Sequence, residues 1–112
     1  MGTVTYRAGE AGTMGFPIDD PTGQPMPTAG LAARMVVERD GPDLIVTGRW
    51  SSGEVLIDGV QMTHPSIMAF DVTAETFPLP PRVYRAALQV DDGVHGWRTL
   101  PGGDFHLDIR RL

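Results

Sequence analysis

Apolar and polar side chains alternate along most of this chain, and the alternation is clearest after Pro80. There Tyr84, Ala86, Leu88 and Val90 fall on one face while Arg85, Gln89 and Asp91 take the other, the period of two that marks a half-buried strand. Asp92-Gly93 suits the positive φ angles of a tight turn, so a hairpin is expected there, with a return through His95 to Leu100. Pro101-Gly102-Gly103 predicts a further turn, after which Phe105, Leu107 and Ile109 alternate with Asp104, His106, Asp108 and Arg110. The pattern therefore predicts three strands joined as two linked hairpins.

Earlier in the chain the same period recurs in shorter pieces. Over 3–8, Val4, Tyr6 and Ala8 oppose Thr3, Thr5 and Arg7. Gly9, Gly12 and Gly15 then interrupt, so a bend, a bulge or a crossing from one sheet to another is expected before pairing resumes over 15–18. Residues 19–28 contain Pro21, Pro25 and Pro27 and read as a loop. Over 31–39, Leu31, Ala33, Met35 and Val37 oppose Ala32, Arg34, Val36 and Glu38; over 43–50, Leu44, Val46 and Gly48 oppose Ile45 and Thr47, with Ser51-Ser52-Gly53 as the expected end. Residues 54–62 alternate around Val55 and Ile57, with a turn or bulge expected at Asp58-Gly59 and a break at Thr63-His64-Pro65. Met68, Phe70 and Val72 share a face of the next strand, and 73–78 leaves room for one helical turn.

No apolar spacing of three and four persists long enough for a globular helix. About seven or eight short strands with glycine and proline punctuation predict an all-β antiparallel sandwich, with a small closed barrel as the alternative. Tyr84 is expected to bury its ring and bond its hydroxyl back to the loop before it.

Composition narrows the chemistry. The length, 112 residues, suits one domain over 1–112. There is no cysteine, which excludes disulfides and cysteine-ligated zinc. A net charge of −5, with arginine as the only basic residue besides histidine, argues against nucleic acid and anionic lipid as partners. No signal peptide and no membrane-spanning segment is expected from the apolar runs present. His64, His95 and His106 lie far from one another and from any second ligand at zinc spacing, so no metal is expected. Asp19-Asp20 and Asp91-Asp92 read as turn residues that bond the local backbone rather than as calcium ligands. Neither a nucleophile elbow nor a phosphate loop occurs, so no catalytic residue and no cofactor is expected. Residues 9–27 are dense in glycine and proline, and little side chain is left to pack. They are expected to be mobile in the free subunit unless backbone pairing or a neighbour orders them.

A larger pattern joins these pieces. It comprises Tyr6-Arg7-Ala8-Gly9, the turn Asp20-Pro21-Thr22-Gly23 with Pro25 after it, and a strand ending at Glu38-Arg39-Asp40-Gly41. Phe70-Asp71-Val72-Thr73-Ala74-Glu75-Thr76, a Leu79-Pro80-Pro81 corner, Tyr84-Arg85-Ala86-Ala87-Leu88-Gln89-Val90 and Gly102-Gly103-Asp104-Phe105 complete it. In this order of parts the chain resembles small tailed-phage structural proteins that share an immunoglobulin-like fold with the N-terminal, baseplate-attaching domain of phage upper-baseplate proteins. It departs at Arg82-Val83, where that family passes from proline through glycine directly to tyrosine.

The resemblance implies an immunoglobulin-like sandwich and a non-enzymatic part of a virion or phage-like particle, assembled in the host cytoplasm. Such a part acts as a tail, baseplate or head-surface adaptor, and its partners are other structural proteins and further copies of itself. Candidate interface residues are Val36 and Ile45, apolar on the face opposite the core, together with Trp50 and Trp97. The alternative is a carbohydrate-binding β-domain, since tryptophans stack on sugars. Tryptophans buried in the core or in subunit contacts favour the adaptor, and both exposed on one concave face favour carbohydrate.

Overall fold

Tyr84, Ala86, Leu88 and Val90 are all buried, as are Phe105, Leu107 and Ile109, so the alternation that marks the C-terminal strands does face a core. The computed structural model describes residues 2–57 and 60–111. Eight strands follow in order: β1 (Thr3–Arg7), β2 (Gly12–Pro17), β3 (Ala32–Val37), β4 (Leu44–Thr47), β5 (Arg49–Ile57), β6 (Val60–Val72), β7 (Arg82–Asp91) and β8 (Trp97–Arg110). No helix occurs among the described residues. The strands form a five-stranded sheet, β1-β8-β7-β3-β4, and a three-stranded sheet, β2-β6-β5. This is a sandwich-like arrangement of two sheets rather than one closed ring.

The three-stranded sheet is antiparallel throughout, but the larger sheet is mixed, because β1 runs parallel to β8 with Val4 opposite Leu107 and Tyr6 opposite Ile109. That corrects the expectation of a wholly antiparallel fold. Parallel neighbours need a long connection, and β1 and β8 have nearly the whole chain between them. Between the sheets lie Met35, Met68, Leu88 and Leu107, fully buried. Phe16 of β2 bridges the layers, its ring centroid 5.9 Å from Phe70 and 5.4 Å from Phe105. The Tyr84 hydroxyl donates to the Pro80 carbonyl at 2.7 Å, the bond back to the loop that its position predicts.

Among the described residues the chain changes sheet four times, and two of the crossings fall at Gly9 and Gly48. Gly9, at φ 83°, stands between β1 in the larger sheet and β2 in the smaller, the crossing expected there. Gly48 makes another crossing, from β4 to β5, that the continuous pattern over 43–50 conceals. A Cβ at Gly48 would lie 2.7 Å from Cε1 of the buried Phe70 ring, so the chain passes where no side chain fits.

Three expected breaks are strand instead. β5 continues through Ser51-Ser52-Gly53, and β6 through Thr63-His64-Pro65. The two meet at a register shift between Ser51, opposite Ile67, and Gly53, opposite His64. A bulge there gives Pro65, which has no N–H to donate, a place within a strand. β8 likewise runs through Pro101-Gly102-Gly103. Gln89 pairs with Thr99 and Ala87 with Asp104, so residues 100–103 bulge out opposite Leu88, with Gly102 at φ 68°. One long hairpin replaces two linked ones. The turn or bulge expected at Asp58-Gly59 lies outside the described residues, as do the side chains of Val55 and Ile57.

Residues 9–27 have more to pack than their composition suggests. β2 pairs with β6 from Gly12 to Pro17, Phe16 and Ile18 are buried, and Met26 packs against the core. The segment thus has, within its own sheet, the backbone pairing expected as one of the two ways to order it. Over 73–78 the chain makes the single helical turn for which there is room, closed by Phe77 N–H donating to the Thr73 carbonyl four residues back at 2.9 Å, and it does not continue as a helix.

Candidate interaction surface

Because β3, β4, β7 and β8 bury alternate residues, the intervening ones share the solvent side of the five-stranded sheet. There Arg34 lies opposite Gln89 on one neighbour and Thr47 on the other, and Val36 opposite Ala87 and Ile45. Val36 is half-buried, while Ile45 is 46% exposed. The Arg34 Nε–H donates to Gln89 Oε1 at 2.8 Å, and Gln89 Nε2 donates to Thr99 Oγ1 at 3.2 Å. This chain of bonds lays the Arg34 guanidinium over the Trp97 ring, 4.2 Å from its centroid, a cation–π contact.

Trp97 is 36% exposed, whereas Trp50 is half-buried against the core and donates its Nε1–H to the Leu31 carbonyl at 2.9 Å. Both rings line one recess of about 400 Å³ with Arg34, Ile45 and Thr47. Three of the four candidate residues thus meet around a single depression, and Val36, on β3, lies just outside it, opposite Ile45. Arg34 is the member the sequence pattern does not single out. Its signal is its place at the centre of the outward row of β3, between two apolar positions. A second recess, of about 520 Å³, continues along the same face past Val36 and Ala87 to Glu38, Asp43, Arg85 and His106. The face is therefore basic and aromatic at one end and more acidic at the other.

A second cluster has the residue types of a hydrolytic site but not the geometry. His64 is buried, its Nδ1 accepts the Ser66 backbone N–H at 3.0 Å, and its Nε2 faces Asp19 Oδ1 at 2.9 Å. An N–H can only donate, so the ring proton sits on Nε2 and points at the carboxylate. The Ser66 hydroxyl donates to the Met26 carbonyl at 2.5 Å, away from the imidazole. The cluster fastens the loop over residues 19–28 to β6. Its two halves, Asp19 with Met26 and His64 with Ser66, lie far apart in the sequence, and periodicity carries no trace of their meeting.

Asp20, Asp91 and Asp92 bond the local backbone as expected of turn residues, whereas Asp19 reaches across to His64. Asp20 Oδ1 accepts from the Thr22 hydroxyl and from the backbone N–H groups of Thr22 and Gln24, with the Thr22 hydroxyl foremost in holding its carboxyl below the usual range. Asp92 is held far lower, first by the His95 side chain at 2.7 Å and then by the N–H groups of His95 and Val94. Asp71 is lowered by Arg49, which meets it at 3.0 and 3.1 Å, and by the Thr13 hydroxyl. Burial raises the hydroxyl pKa of Tyr84, and of Tyr6 with Glu10 adding to it.

Among the described residues no three His, Cys, Asp or Glu side chains gather to hold a metal ion, and no helix is long and apolar enough to cross a membrane. No protein-family model, curated protein or solved structure matches the chain.

Proposed function

We propose that this chain is a non-enzymatic structural component of a phage or phage-like particle, an adaptor in the tail, baseplate or head surface that binds through the outer face of its five-stranded sheet. One observation carries the reading: Ile45 and Trp97 stand exposed on one face, with Val36 beside the first and Arg34 stacked on the second. Tryptophan and arginine dominate the energies of protein contacts, and a polar rim of the kind Glu38 and Asp104 provide is their usual surround. The order of sequence parts supports the same reading, as does the Tyr84–Pro80 bond, which suits an immunoglobulin-like sandwich. Partners are then other structural proteins of the particle, met during assembly in the host cytoplasm. Antibody labelling of purified particles in the electron microscope tests this. Decoration at one fixed position is expected, and particles that lack the chain would overturn the proposal.

A carbohydrate-binding role is the second reading, favoured by the recess that Trp50 and Trp97 share. Against it, the Trp50 indole N–H is engaged by Leu31 and one face of Trp97 is covered by Arg34. Quenching of tryptophan fluorescence by an oligosaccharide, abolished in Trp97→Ala, would establish it in place of the adaptor.

A further inference from the structure

We infer that β4 is the seam for a second copy of this chain, which pairs with it antiparallel about a two-fold axis at Ile45 and joins two five-stranded sheets into one of ten strands. The inference rests on reading this face as a contact surface, and it names the partner.

β4 is the last strand of its sheet, and β3 is its neighbour on one side. The Gly48 N–H donates to the Ala33 carbonyl at 2.9 Å, which makes this a hydrogen-bonded pair. Such pairs recur at every second residue of an antiparallel ladder, so Val46 and Leu44 also turn their backbone groups toward β3. Ile45 and Thr47 therefore turn theirs outward. The other edges carry devices that discourage pairing: β2 ends in Pro17, β5 has its bulge at Ser51–Gly53, and β1 bears the charged Arg7. β4 has none of these in its four residues, and Ile45, near its middle, is an exposed apolar side chain.

Charge selects the register. On the solvent side Arg34 lies level with Thr47, Val36 with Ile45, and by continuation Glu38 with Asp43. A two-fold axis at Ile45 sets Ile45 against its mate and Thr47 against the second copy's Asp43, with outward backbone groups matched in each pair. The row holding Arg34 then runs into the row holding the second copy's Asp43 and Glu38, and the reverse holds on the other side of the axis. A seam centred on Thr47 would align Arg34 with Arg34, and one centred on Asp43 would oppose carboxylate to carboxylate. At Ile45 the two copies' Val36 and Ile45 also close into one apolar stripe.

Sedimentation of the full chain over rising concentration should show a monomer–dimer equilibrium without larger species. Ile45→Pro removes an outward N–H while leaving the ladder to β3 intact, and is expected to weaken dimerisation at least about tenfold. Asp43→Arg alone and Arg34→Asp alone should each be monomeric, because like charges then meet twice. Mixed together, the two variants should form a heterodimer, since positions 34 and 43 that meet across the seam are again opposite in sign on both sides of the axis. Thermal melts confirm that each variant is folded. A strict monomer up to about 1 mM would overturn the seam. So would a dimer indifferent to Ile45→Pro, a dimer lost in Thr5→Pro, or a mixture that fails to associate. A dimer of this kind in a chain absent from particles would leave the seam standing and remove the adaptor reading.

Discussion

The five-stranded sheet turns only apolar side chains inward along β3 and β7, whereas the three-stranded sheet turns two polar ones in. On β6 the inward row is His64, Ser66, Met68, Phe70 and Val72, all buried. Its apolar members are held by transfer from water, as are those of the larger sheet. His64 and Ser66 are held instead by partners that the loop over 19–28 brings down on them, the Asp19 carboxylate and the Met26 carbonyl. The two sheets obey one period of two, yet one end of the sandwich is closed by hydrogen bonds where the rest is closed by packing. A buried face in this protein is thus defined by position in the layer and only secondarily by the polarity of the residue.

The largest effects should be equal across the layers. Phe70→Ala and Phe105→Ala, one from each sheet, are each expected to cost about 3–5 kcal/mol of unfolding free energy in denaturant titrations. A markedly smaller loss at Phe70 would show that the smaller sheet is not an equal partner in the core. Gly48→Ala should follow at about 1–3 kcal/mol, because its methyl group meets a Phe70 ring with no room to retreat.

His64→Ala comes next and sharpens the contrast. It strands the Ser66 N–H in a buried site, and a loss of about 1–3 kcal/mol is expected against roughly 0.5 kcal/mol or less for the exposed His106→Ala. Equal losses would mean that the loop does not close that end. The smallest effect is electrostatic. Asp92 has a folded pKa depressed below its unfolded value of about 3.9, so its contribution is complete above that value and is lost as pH falls through the folded one. Stability is expected to hold from neutrality to about pH 5 and then decline, and Asp92→Asn should shallow the decline between about pH 4 and pH 2.

What the sequence discloses follows the same division. β3, β7 and the end of β8 are legible because their inward rows are wholly apolar while charged or amide side chains such as Arg34, Arg85, Gln89 and Asp108 mark the outward ones, and Tyr84 could be placed on the core and tied to its loop. β6 is not legible at its start, since His64 and Ser66 look like surface residues until the loop that satisfies them is in place. The bulges at Pro65 and at residues 100–103 are hidden for another reason. Proline and glycine signal a departure from the ladder, but not whether the chain reverses or resumes its direction. Gly48 is hidden because the obstacle, the Phe70 ring, arrives from a distant strand. Of the surface, Ile45 and Val36 follow from the parity of β3 and β4, while the recess joining Trp50 to Trp97 requires two strands from different sheets to meet.

The parallel contact of β1 with β8 carries a consequence for how the chain reaches this state. Of the eight strands β1 leaves the ribosome before the others, and its one neighbour in the sheet, β8, is the last of the eight to emerge. Until then Val4 and Tyr6 have no strand beside them, and closing that loop requires β1 and β8 to find each other across the six strands between them. Folding is accordingly expected to be slow for so small a domain, as it is where distant pairings dominate, and to finish only after synthesis of β8 is complete.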